Sequence, residues 1–239
     1  MRDTIADVEP LDNPVWHALT SHHARFADGD GRARRYEHDV ASFAALPDDP
    51  DADAWGALAN LAGTEGTCVI FRPAGMKAPA GWEVLARLPT LQMVVSEPIG
   101  EVDDELVVLG AGDVPDMLAL VARTKPGPFF ERTHELGKYI GLRDRAGLVA
   151  MAGERMIGPR FAEISAVCTD DRARRQGLAR RLVRAVAAVI ERRGDAPILH
   201  VRADNAPAIR VYGALGFEAR AVFDVLVLRA PARDRGRRT

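Results

Sequence analysis

Five arginines and a glycine fall within ten residues, "RARRQGLARR" (172 to 181), directly ahead of a run with helical periodicity. Like charges at that density repel, and a glycine at a helix start costs helix stability. A bound anion would answer both difficulties. A helix N-terminus presents unpaired N–H groups and about half a positive charge. Small residues at Gly177 and Ala179 let an anion approach the backbone, and the arginines add charge-assisted hydrogen bonds. The chemistry this spacing suits is phosphate binding. It is not a Walker loop, because leucine follows Gly177 and no Gly-Lys-Ser/Thr occurs. The spacing and acidic partner of a dinucleotide fingerprint are also missing. Taken alone, the residues also admit a solvated basic helix start, the less favoured of the two readings.

The elements that must position this cluster follow from pattern. "FAEISAVCT" reads as a strand, "RQGLARRLVRAVAAVIERRG" as a helix, "PILHVRA" as a strand, "NAPAIRVYGALG" as a helix and "FEARAVFDVLVL" as terminal strand structure. Leu178, Leu182, Val186, Val189 and Ile190 form one helical stripe, and Gly194 suits the C-cap. Upstream, "KYIGLRDRAGLVAMAGERM" reads as a hairpin turning at "DRAG", and Asp113 is placed to cap a helix "VPDMLALVART". In the first hundred residues "HDVASFAAL" and "AWGALANLA" read as helices, "TCVIF" and "LQMVVS" as strands. The fold class expected is α/β (α+β), a mixed twisted sheet flanked by helices. The acidic break "EPIGEVDDE" divides it into an α/β region, 1–103, and a larger domain, 104–239.

Composition narrows the function. The 239 residues are 47% hydrophobic and 28% charged with a net charge of −2, so the arginines are a local feature and no general nucleic-acid surface is expected. The tail "RDRGRRT" reads as a solubilising end. Cys68 and Cys168 alone offer neither a disulfide framework nor a metal site and suit a reduced cytoplasm. No apolar run reaches the ~20 residues of a membrane span, and "MRDTIADVEP" lacks a signal-peptide core. The near-exclusive use of arginine over lysine is a bias of GC-rich bacteria.

From "EISAVCT" through "RARRQGLA" to "NAPAIRVYGALGF" the chain resembles the GNAT acyltransferase superfamily, and within it the glycine N-acyltransferase-like branch. Arg174, Arg175, Gln176, Gly177, Leu178 and Ala179, with Arg180 after them, match the Gln/Arg-x-x-Gly-x-Gly/Ala motif that binds the CoA pyrophosphate. Asn205, Tyr212 and Gly216-Phe217 match a second signature in the correct order. Arg175 stands where glycine is common, and Asp171 where proline is common. The resemblance covers roughly residues 105 to 230 and leaves the first region, 1–103, as at most a degenerate copy of the same plan.

What the resemblance implies is an N-acetyltransferase using acetyl-CoA as co-substrate, no metal, and a small-molecule or peptide amine as acceptor. It sets Val167, Cys168 and Thr169 along the pantetheine arm, with the Val167 N–H polarising the thioester and the Cys168 side chain turned into packing. Tyr212 becomes the acid that protonates the CoA sulfur, a task suited to a phenol of pKa near ~10. Strand alternation puts Glu163 on one face with Ser165, Val167 and Thr169, where it is the candidate base for the amine. His200, one strand over, and a water relay are the other candidates. His134 lies in the presumed acceptor region. A CoA-binding regulatory module without catalysis, and a nucleic-acid binder using the arginine helix, are the competing functional classes.

Overall fold

The computed structural model describes residues 9–232, so the tail "RDRGRRT" lies outside the described residues. Eleven strands form one curled mixed sheet. Those of the first region are β1 (Ala27–Gly29), β2 (Arg34–Tyr36), β3 (Phe43–Ala45), β4 (Thr67–Pro73) and β5 (Glu83–Val95). The rest are β6 (Val107–Leu109), β7 (Tyr139–Asp144), β8 (Gly147–Gly158), β9 (Phe161–Thr169), β10 (Ala196–Arg202) and β11 (Phe217–Arg229). The helices are α1 (Pro14–Leu19), α2 (Ala52–Ala62), α3 (Val114–Thr124), α4 (Leu178–Arg192) and α5 (Ala206–Gly213). Among the described residues no helix is long and apolar enough to cross a membrane.

The spatial order is β1-β2-β3-β4-β11-β5-β10-β9-β8-β7-β6. β5, from the first hundred residues, therefore sits between β10 and β11, antiparallel to both. The division expected between residues 103 and 104 falls in the β5–β6 connection, and one sheet runs across it. That connection crosses α4. The N–H groups of Ile99 and Gly100 donate to Glu191, and a Cβ on Gly100 would lie 2.6 Å from the Ala188 backbone.

α4 folds as its periodicity predicts. Leu178, Leu182, Val186 and Ile190 are buried against Ala162, Ile164 and Leu199 of the sheet, each side chain worth roughly 1.5–3 kcal/mol of burial. The β7–β8 hairpin turns at Arg145-Ala146, with the Ala146 N–H donating to Asp144 at 2.7 Å. Two local expectations need correction. "HDVASFAAL" forms no helix: it makes a turn and the short strand β3, buried at all three positions between β2 and β4. A short apolar run buried on both faces carries no period to tell strand from helix. Asp113 precedes α3, but its carboxylate accepts from the Gly110 N–H at 2.9 Å and pairs with Arg143.

Candidate active site

After β9 the chain makes a 3-10 turn, Asp171–Ala173, and enters α4 through two residues in the left-handed region, Arg175 (φ 63°) and Gly177 (φ 75°). Gly177 is the N-cap. The Arg180 and Arg181 N–H groups donate to its carbonyl at 3.0 and 3.2 Å, so the N–H groups ahead of them have no intrahelical partner. A Cβ placed on Gly177 meets nothing within 4 Å. The helix end thus faces open space, through which an anion can approach its unpartnered N–H groups. The arginines divide in their tasks. Arg174 pairs with exposed Asp171 at 2.6 Å. Arg181 turns to Asp103, with bonds of 2.6 and 2.8 Å, and to Glu105. A cavity of about 640 Å³ lies between this acidic segment and α4, bordered by Gln176, Gly177 and Arg180.

β9 and β10 run parallel only from Phe161–Ala196 to Ile164–Leu199. Beyond that rung the strands part: Ser165–Thr169 pair with β8 alone, so the β9 edge that faced β10 is freed from it. Ala166 (φ 53°) is part of a β-bulge there, so Ala166 and Val167 together oppose Ala152. Val167 packs on the α4 side of the sheet, and Cys168 packs with α3. Burial pushes the Cys168 thiol up to about 11, which leaves it inert at neutral pH. The Thr169 hydroxyl is buried without a hydrogen-bond partner among the described residues.

Glu163 does not share the Val167 face, because the bulge at Ala166 breaks the alternation that placed it there. It is fully buried on the opposite side. Arg155 Nε and Nη2 donate to its two oxygens at 2.7 and 2.6 Å, and His200 Nδ1 lies 2.8 Å from Oε1. Burial raises its pKa, but the Arg155 charge and the His200 hydrogen bond outweigh that and hold it at about 2. A carboxylate so stabilised is a poor proton acceptor. His200 is itself packed edge-on against Phe71 and Phe223. Its burial, opposed by Glu163, keeps its pKa below the usual imidazole value. Sequence reasoning missed Arg155, whose only signal was the adjacent charges Glu154 and Arg155 inside the apolar run "VAMAGERMIG".

Tyr212 lies on α5, half-buried, its ring 6.1 Å from Phe217. Burial, then the Glu163 charge, pushes its phenol up to about 12. Asn205 is the N-cap of α5, its Oδ1 accepting from the Ala208 N–H at 3.2 Å. His134 sits in the 3-10 turn Thr133–Leu136, and its ring contacts the Glu131 carbonyl at 3.0 Å.

The fold that carries this helix end and these parting strands is matched by known proteins. The FR47-like protein family matches residues 139–224, from β7 into β11. A solved structure from Novosphingobium aromaticivorans DSM 12444, assigned to the GNAT acetyltransferase family, is 39% identical. The match covers 92% of this chain and 98% of that one, with a TM-score of 0.84. The chain belongs to the GNAT family. Two GNAT structures share the fold at lower identity. A GCN5-related N-acetyltransferase from Kribbella flavida is 18% identical over 94% of this chain and 97% of its own, TM-score 0.61. A GCN5-related N-acetyltransferase-like protein from Streptococcus suis 89/1591 is 15% identical over 90% and 92%, TM-score 0.51. No curated protein matches the chain.

Proposed function

We propose that this GNAT protein is an acyl-CoA-dependent N-acetyltransferase of the glycine N-acyltransferase-like branch, moving acetyl from acetyl-CoA directly to a primary amine. The observation that carries the reading is the open helix end at Gly177 lying next to the β9 backbone freed from β10. Acetyl-CoA supplies the activated acyl group. The N–H groups from Gln176 to Ala179, with Arg174, Arg175 and Arg180, hold its diphosphate. The backbone of Val167–Thr169 holds the pantetheine arm, and Val167 N–H donates to the thioester oxygen. Tyr212, whose phenol keeps its proton up to about pH 12, delivers it to the departing sulfur.

The amine's own proton goes to water in this reading, since Glu163 is ion-paired and His200 is enclosed. The first region, 1–103, completes the acceptor side, where a small-molecule or peptide amine binds. The setting is cytoplasmic, with no metal, membrane or nucleic acid in the reaction. A turnover screen of acetyl-CoA against amino acids, polyamines, aminoglycosides and peptide N-termini, read by free thiol, tests this. Thiol release dependent on one amine class is the expected result. Acetyl-CoA binding without turnover on any of them would leave a silent CoA-binding module.

A further inference from the structure

Glu163 is one rung of a longer polar ladder. Arg155 on β8 donates to Glu163 on β9, which meets His200 on β10. The other ring nitrogen of His200, Nε2, lies 3.0 Å from Gln92 Nε2 on β5. Arg220 on β11 donates to Gln92 Oε1 at 2.9 Å and to Asp12 at 2.8 Å, and Gln92 Nε2 also donates to the Leu11 carbonyl at 2.8 Å. These are five consecutive strands of the sheet, β8-β9-β10-β5-β11. The donor roles are consistent. Glu163 accepts from Nδ1–H, so Nε2 is bare and accepts from the Gln92 amide.

Two bulges aim the ends of this ladder. The β8–β9 register shifts between Glu154 and Ile157, so Arg155 and Met156 both oppose Glu163. The β11–β5 register shifts between Ala219 and Ala221, so Arg220 joins Ala221 opposite Gln92. The ladder also crosses the sheet at a particular level. The last β9–β10 rung is Ile164–Leu199, with Glu163 one residue before it and His200 one residue after. Their hydrogen bond therefore staples the strands diagonally at the point where they part.

Stability alone is a weak reason for this arrangement, because buried ion pairs commonly stabilise no more than apolar residues of the same size. Fixing register is the better-attested use. We infer that Arg155, Glu163, His200, Gln92 and Arg220 form a positioning ladder that fixes where β9 and β10 separate, and so where the Val167 N–H stands beyond that point. The catalytic consequence rests on the acetyltransferase reading; the mechanical one does not. The five act in this role through the strands they join, and not as groups that exchange protons with the substrate.

Two variants test it. Arg155→Met/Glu163→Leu removes both buried charges together, and Gln92→Leu cuts the ladder while leaving the ion pair. Hydrogen exchange is followed by mass spectrometry on the full chain. Peptides covering Ser165–Thr169 and His200–Arg202 are expected to exchange at least about tenfold faster, and α4 peptides at the wild-type rate. With acetyl-CoA and an amine that the wild type accepts, kcat should fall roughly 10–100-fold at unchanged KM for acetyl-CoA. Wild-type exchange in either folded variant overturns the ladder, as does a kcat loss matched by a rise in that KM. If the double variant fails to fold, Gln92→Leu decides. A wild-type chain that turns over no amine refutes the proposed function while the exchange result still judges the ladder.

Discussion

Tyr212 combines two properties that a proton donor to sulfur needs. Its phenol stays protonated across the working range, and its motif partners surround it, Asn205 capping α5 and Phe217 opening β11 with its ring 6.1 Å away. Tyr212→Phe should lower kcat by about 10²–10⁴-fold while acetyl-CoA affinity by calorimetry stays constant. An unchanged single-turnover rate would remove Tyr212 from the chemistry. Glu163 leads to a different expectation from the one its sequence position suggested. With its carboxylate committed to Arg155 and His200, Glu163→Gln sets an amide N–H₂ against donors and strips Arg155 of its counter-charge. Removing one partner of a buried pair costs about 3–5 kcal/mol, which for a chain of this size lowers Tm by roughly 10 °C. Thermal unfolding followed by circular dichroism checks it. If Glu163 were instead the base, the variant would keep its Tm and lose activity that returns at alkaline pH. The placement of Tyr212 on α5 and of Gly177 at the start of α4 was legible in the sequence because it depends on neighbours a few residues away. The role of Glu163 was not, because it depends on Arg155 and on His200, 37 residues distant.

The elements that obey simple local patterns were read correctly: α4 from its apolar stripe, the β7–β8 hairpin from "DRAG", α5 from "NAPAIRVYGALG". What the sequence concealed are the β-bulges. Each adds one residue to a strand and reverses the facing of everything after it, with no compositional mark beyond an alanine at 166 and arginines at 155 and 220. The loop before α4 does leave a mark. Arg175 stands where the motif commonly has glycine, and its φ of 63° gives the reason that glycine is suited there. Arg175→Gly should relieve that strain and stabilise the fold by up to about 1 kcal/mol, read as a small rise in Tm. It should weaken acetyl-CoA binding only modestly, through the loss of one exposed charge. Gly177→Trp should abolish binding, because an indole would occupy the open space over the helix end. Tight binding by the tryptophan variant, measured by calorimetry, would put the cofactor elsewhere.

At the scale of the molecule, β5 lies inside the sheet and the first hundred residues are joined to the rest by buried polar contacts that span the chain. His23 is the clearest of these. Its Nε2 lies 2.8 Å from the Leu136 carbonyl and its Nδ1 2.8 Å from the Tyr36 hydroxyl. A carbonyl only accepts, so Nε2 carries the proton and Nδ1 takes the phenolic hydrogen. The ring is held neutral. Burial lowers its pKa from 6.5 to about 4, against the raising effect of the Leu136 bond. A base whose pKa is lowered by folding stabilises the native state fully above the unfolded value of 6.5. That contribution declines as pH falls and is gone below about 4. At about 1.4 kcal/mol per unit this amounts to about 3 kcal/mol. His200, also lowered, acts in the same direction. The wild-type Tm should therefore hold level above pH 6.5 and decline steadily between 6.5 and 4. His23→Gln can keep one hydrogen bond to Leu136 but has no proton to gain. It should begin with a lower Tm at pH 7.5 and show a shallower acid slope, so that the two curves converge near pH 4. Parallel curves across that window would mean that His23 titrates normally and does not join the two halves of the chain as its contacts indicate.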